Sequence, residues 1–267
     1  MYLKIVSFLL ILIISLNAKS NVLIKNIKKN GQIDVYIINN NLFDITLKYD
    51  AQIKTLISSQ DLPIIKSIKA NQRKKIASFY ILKGKYLLKS NISYVIGNKN
   101  SIHNNSYLYR LPYELNTKQQ VTQGFNGKFS HKGDSLYAVD FGLKIGTKIY
   151  ASRGGIVINI KNDSSKSGNK KYIKDANFIT IKHNDGTYGK YVHLKKDSVI
   201  VKKGQYVKRG ELLALSGNTG YTNGPHLHFI VFKGKSYDSR QSIAIKFISK
   251  NGIIKEPIKG KRYIAVK

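Results

Sequence analysis

His226 and His228 stand one residue apart in "GPHLHFIVF", residues 224–232. With the two-residue period of a β-strand, His226, His228, Ile230 and Phe232 share one face, and Leu227, Phe229 and Val231 the other. An imidazole inside an apolar run needs a hydrogen-bond partner or a metal, because a buried polar ring without one is costly. The pair is therefore either two satisfied core histidines or part of a metal site. A metal site requires further ligands.

The chain has six histidines and only 14 acidic residues, so each acid is informative. Asp140 in "SLYAVDFGL" falls mid-strand between Val139 and Phe141, where a carboxylate is unfavourable unless a cation or several donors compensate it. Upstream, "GFNGKFSHKGDS" places His131 on a glycine-rich loop. Zinc accepts histidine nitrogen and aspartate oxygen, and catalytic zinc takes three protein ligands with water as the fourth. His131, Asp140 and one member of the His-Leu-His pair supply such a set, and spacing alone does not say which member. No HExxH helix offers a glutamate base. The other histidine of the pair and His193, in "KYVHL", remain. A metal's charge keeps a nearby imidazole neutral and able to take a proton. Two such rings beside an activated water are the equipment of metal-assisted hydrolysis.

These residues must be held by strands. Residues 119–267 read as strands and glycine turns, with no long amphipathic helix, so the fold class is all-β. "NFITIKHNDGTYGKYVHL" is a hairpin with Asp185-Gly186 as its turn, which would set His183 opposite Tyr188 in a structural role. Gly224-Pro225 sets the entry of the strand that carries the pair. The lysine-rich segment 161–176, "KNDSSKSGNKKYIKDA", has no periodicity and reads as a surface loop able to wall a groove. Residues 21–111 alternate short apolar stretches with polar turns. "NVLIKNI", "DITLKYD" (Ile45, Leu47 and Tyr49 on one face), "SFYILKGKYLLK", "SYVIG" and "SYLYRL" predict a small β-sandwich with no chemistry of its own. His103 reads as a solvated loop residue.

"QGFNGKFSHKGDSLYAVDFGLKIGTKIYASRGGIV", "ITIKHNDGTYGKYVHL" and "VKKGQYVKRGELLALSGNTGYTNGPHLHFIVF" together resemble the LytM/lysostaphin-type (M23) zinc metallopeptidases over residues 112–250. The resemblance implies an antiparallel β barrel-sandwich (lipoyl-like) peptidase domain. It implies one Zn²⁺ held by His131, Asp140 and His228, with His193 and His226 as the catalytic pair. The common first motif of the family is HxxxD, whereas His131 and Asp140 here are nine apart. A subgroup with "SHxG…YAxDF" is similar to this chain; outside that subgroup, Asp134 would be the alternative ligand. The glycine spacing around 204–210 is shared with biotinyl and lipoyl carrier domains, but those carriers lack the histidine set and need a modified turn lysine.

Composition frames the function. "MYLKIVSFLLILIISLNAKS" has a basic start, a dozen apolar residues and a small-x-small end, the pattern of an export signal over residues 1–20, with an uncleaved anchor as the alternative. The chain has no cysteine, which excludes thiolate ligands and disulfides. The net charge of +32 is distributed throughout: 16 basic against 5 acidic residues in 21–118, and 28 against 9 in 119–267. Without a recognition helix or RNP-like pattern, that charge predicts an anionic envelope polymer or membrane surface as partner, with no specific nucleic acid. The expected organisation is a signal (1–20), a β-sandwich accessory domain (21–111) and a peptidase domain (112–267). The resemblance implies an exported endopeptidase, of periplasm or envelope, acting on peptidoglycan peptide stems, at a D-alanyl–diaminopimelate bond or a glycine-containing bridge. A non-enzymatic wall-binding or hydrolase-activating relative is the alternative.

Overall fold

The computed structural model describes residues 21–267, and the expected export signal lies outside them. Among the described residues the regular structure is strand, apart from two short 3₁₀ turns at Gly133–Ser135 and Lys170–Asp175. No helix there is long and apolar enough to cross a membrane.

In the N-terminal part, a four-stranded antiparallel sheet (Val22–Lys29, Gln32–Asn39, Gln72–Ile81, Leu56–Ser58) faces a three-stranded one (Ile64–Ile68, Ile45–Lys54, Leu87–Ile96). Alternation places Val35 and Ile37 of the first sheet and Ile45, Leu47 and Tyr49 of the second in one core, as expected of a sandwich. Asn30 and Gly31 both have positive φ, the backbone that a two-residue hairpin between twisted strands requires. Three details differ from the sequence pattern. Val22–Lys29 is an edge strand with Leu23 and Ile27 exposed. "KYLLK" and "SYVIG" form one continuous strand, and it lies in the sheet opposite to "SFYI". Leu108–Arg110, from "SYLYRL", leaves the sandwich and pairs in parallel with Lys246–Ser249.

The second part is built on a nine-stranded sheet. Its centre runs Gly155–Lys161, Phe178–Lys182, Tyr188–Val192, His226–Gly234, Val139–Gly142 and Lys118–Gln123, each antiparallel to the next. Leu227, Phe229 and Val231 point into a core closed from the other side by Ile149, Leu213 and Ala214 of a two-stranded sheet. The opposite face of His226–Gly234 carries the two histidines and then Ile230 and Phe232. These two join the N-terminal core together with Ala138, Ile158 and Tyr188. Lys182 and Asp44 form a 2.7 Å ion pair across the same junction, and the Asp44 N–H donates to the Tyr188 hydroxyl. The Gly97 and Gly234 backbones meet there so closely that a side chain at Gly97 would run into Gly234.

The hairpin expected around Asp185-Gly186 has a different register. His183 pairs with Thr187 through its N–H, and Tyr188 lies opposite Lys182. The loop is three residues, Asn184 to Gly186, with Gly186 left-handed (φ 79°). Asp185 accepts from both the N–H and the hydroxyl of Thr187, which favours this longer loop over a two-residue turn. His183 is buried, with Nδ1 on the Gly154 carbonyl at 2.9 Å, which suits a structural role. His103 is only half exposed to solvent, stacked on Tyr109 with Nε2 3.2 Å from its hydroxyl.

Candidate metal centre

The His226–Gly234 strand lies between Val139–Gly142 and Tyr188–Val192. Antiparallel register sets Asp140 directly opposite His228, and Val192 opposite His228 from the other side. His193 follows Val192 and leaves the strand with φ 67°, a left-handed backbone unusual for a residue with a side chain. Sheet pairing thus assembles residues that lie far apart in the chain.

Asp140 is the centre of the cluster. Its Oδ1 lies 2.8 Å from His228 Nδ1 and 3.2 Å from His131 Nε2. His131 is fully buried, and its Nδ1 donates to the Gly124 carbonyl at 2.7 Å. That bond fixes the proton on Nδ1 of the neutral ring, so Nε2 presents a lone pair to a carboxylate oxygen. The contact is close but is no hydrogen bond, and Nε2 is left without a partner. Two facing acceptors in a buried site are reconciled by a cation. The three ligand atoms lie within 4.8 Å of one another. Tetrahedral ligands at about 2.0–2.1 Å from a zinc ion are separated by roughly 3.3 Å, so the spacing fits zinc, as do the donor types. Burial works against ionising Asp140, but the adjacent imidazoles of His131 and His228 hold its carboxyl well below the usual range.

His193 and His226 stand beside this trio with ring centres 4.5 Å apart. His193 Nδ1 lies 2.6 Å from the Thr219 carbonyl, and His226 Nδ1 lies 2.9 Å from that of Gly224. Donation from both Nδ1 atoms leaves Nε2 as the acceptor, and neither Nε2 has a hydrogen-bond partner among the described residues. His226 Nε2 is 3.8 Å from Asp140 Oδ1. Burial, with the adjacent His226 and His228, pushes His193 down to about 3, so its ring is neutral near pH 7.

Asp134, the alternative ligand, is elsewhere. It sits in the first 3₁₀ turn and accepts from the Arg240 N–H at 3.2 Å, outside the trio. Positioning residues that the motifs do not reveal surround the site. Gln123 is opposite Asp140 in the sheet and donates to Oδ2 at 2.9 Å, while its own Oε1 accepts from Phe129 N–H. Thr219 hydrogen-bonds Asn177 N–H and the Leu194 carbonyl, which fixes the carbonyl that holds His193. A glutamine at the head of the "QGFNGKFSH" stretch was the one available sequence signal for Gln123; Thr219 holds His193 through its backbone carbonyl and gave none.

Asp140, His193, His226 and His228 line a groove of about 930 Å³. The 161–176 segment walls it through Lys170, Ile173 and Lys174, and is tied to the site by the parallel pairing of Ser167–Gly168 with Gly220–Tyr221.

Residues 134–239 match the model of Peptidase family M23, a span that contains Asp140, His193, His226 and His228. An uncharacterized metalloprotease of Buchnera aphidicola subsp. Baizongia pistaciae is 30% identical over 79% of this chain and 48% of its own length. Peptidoglycan DD-endopeptidase ShyA of Vibrio cholerae is 31% identical over 49% of this chain and 29% of its own. The solved structure of LytU is 35% identical over 43% of this chain and 74% of that one, with a TM-score of 0.34. The chain spans less than half the length of these curated relatives.

Proposed function

We propose that this chain, a member of peptidase family M23, is an exported zinc metalloendopeptidase that hydrolyses peptide cross-links of bacterial peptidoglycan. The observation that carries this reading is the partnerless, buried His131 Nε2 aimed at Asp140 Oδ1, with His228 Nδ1 on the same oxygen. His131, Asp140 and His228 are the residues that would hold zinc. When bound, zinc supplies Lewis acidity, polarising a carbonyl and lowering the pKa of a water from 15.7 to about 7.

The chain's own residues do the rest. His193 and His226 have Nδ1 engaged by carbonyls, so each works through Nε2. One accepts the proton of the attacking water and the other hydrogen-bonds the water or the developing oxyanion. The strained backbone at His193 and the Thr219 anchor hold its ring in place without substrate, which reduces reorganisation during the reaction. The relatives named as peptidoglycan endopeptidases support the substrate class, and the basic groove wall suits an anionic polymer. In this reading residues 112–267 form the peptidase domain and 21–111 an accessory domain that orients it. Action in the cell envelope follows from the substrate.

Amide hydrolysis creates amino groups, whereas glycan cleavage creates reducing ends. Sacculi incubated with the protein should gain free amino groups without new reducing ends, and a chelator should stop the gain. A gain of reducing ends alone would sink the peptidase reading.

A further inference from the structure

The groove contains a charged residue that the hydrolytic chemistry does not use. Lys190 lies on the Tyr188–Val192 strand opposite Ile230, two residues from the Val192–His228 pair. That offset is about 7 Å along the strand. Its side chain is partly buried and lines the groove with Phe178, Ile230 and Phe232. Nζ sits 4.1 Å from the centre of the Phe178 ring, and among the described residues no carboxylate is within ion-pair reach of it. Of the other cations lining the groove, Arg240 is the one whose charge acts on Lys190, and it is already engaged. Arg240 has Nε 3.6 Å from Asp134 and its guanidinium over the Phe232 ring at 4.9 Å.

An ammonium in an apolar wall is unfavourable, and an aromatic face compensates only part of the lost hydration. Burial, and then the Arg240 charge, push Lys190 down to about 8, yet near pH 7 it is still mostly a cation. A charge held at that cost, facing the space next to the histidines, is set to meet an anion that arrives with the substrate. We propose that Lys190 is a specificity residue that binds a free carboxylate of the peptide substrate, about two residues along the groove from the metal ligands. An ammonium set among Phe178, Ile230 and Phe232 fits one carboxylate, and its binding orients the neighbouring amide toward His193 and His226. This rests on the endopeptidase reading.

The test uses the zinc-loaded full chain and cross-linked peptides identical except that the carboxylate nearest the scissile bond is free or amidated. Wild type should show a KM about tenfold lower for the free acid, the size expected of a charge-assisted hydrogen bond, with kcat nearly equal. Lys190→Met should remove that preference by raising KM for the acid alone, and Lys190→Arg should restore part of it. Zinc content and melting temperature of Lys190→Met should match wild type, because methionine fills the space without the charge. Equal KM values in wild type, or a parallel loss on both peptides in Lys190→Met, overturn the proposal. If neither peptide is cut, the endopeptidase reading fails, and equilibrium binding of the same two peptides decides the subsite. Tighter binding of the acid that disappears in Lys190→Met upholds it, and equal binding rejects it.

Discussion

Gln123 Nε2 donates to Asp140 Oδ2 at 2.9 Å, while His131 and His228 both lie on Oδ1. The two oxygens of one carboxylate therefore have separate tasks. Oδ2 is held by the next strand, so Oδ1 stays aimed at the metal position.

Gln123→Leu should keep the fold and weaken zinc binding by roughly 10–100-fold, the usual loss when a partner of a ligand is removed. Competition with a chelator of known affinity measures it. Unchanged zinc affinity would mean that the sheet alone fixes Asp140.

Single replacement of His131, Asp140 or His228 by alanine should abolish stoichiometric zinc, since two remaining ligands compete poorly with water and buffer. His193→Ala and His226→Ala should retain zinc and lose activity by roughly 10²–10⁴ each. Zinc lost from His226→Ala but kept by His228→Ala would reverse the assignment within the pair.

The part of the candidate site that sits on regular strands was legible in the sequence. Period-2 reading alone put His226 and His228 on one face, and Asp140 stood out as a carboxylate inside an apolar strand. Which histidine joins the cluster with His131 and Asp140 was not legible from spacing, because it depends on Asp140 being opposite residue 228 and not 226. Such register is set by long-range pairing. The same limit hid the move of Leu108–Arg110 to the strand at Lys246–Ser249. It also hid Thr219, whose carbonyl holds His193 and whose hydroxyl fixes that carbonyl through partners distant in the chain. The hairpin at Asp185 differed because a side chain, hydrogen-bonded to Thr187, extended the loop by one residue.

Asp185 also makes stability depend on acid. Burial favours its protonated form, but hydrogen bonds from Thr187, Asn104 and Arg153 outweigh this and hold it at about 2, below the ordinary 3.8. A carboxyl with a lowered folded pKa stabilises above its unfolded value, and that contribution is lost as pH falls from about 4 toward 2. With chelator present throughout, Asp185→Asn should melt below wild type at pH 7, and the gap should narrow toward pH 2. A gap independent of pH would remove the charge from the explanation.

Salt should separate binding from chemistry. Attraction between exposed charges is screened over roughly 8 Å at physiological ionic strength, whereas the enclosed site is screened less. Added salt should therefore weaken sacculus binding far more than turnover of a short uncharged peptide at saturation. Replacing Lys166, Lys170, Lys171 and Lys174 together by serine should reduce sacculus binding and leave zinc content unchanged. Equal salt sensitivity for both substrates would leave the lysine excess without an electrostatic role.

A zinc titration of the chelator-stripped full chain, with hydrolysis of a cross-linked peptidoglycan peptide as readout, joins the metal to the reaction. Activity should start near zero, rise in proportion to added zinc and level off at one ion per chain. His131→Ala should stay inactive throughout the same range. Activity before any zinc is added, or a rise that continues well past one equivalent, would contradict a single catalytic zinc held by His131, Asp140 and His228.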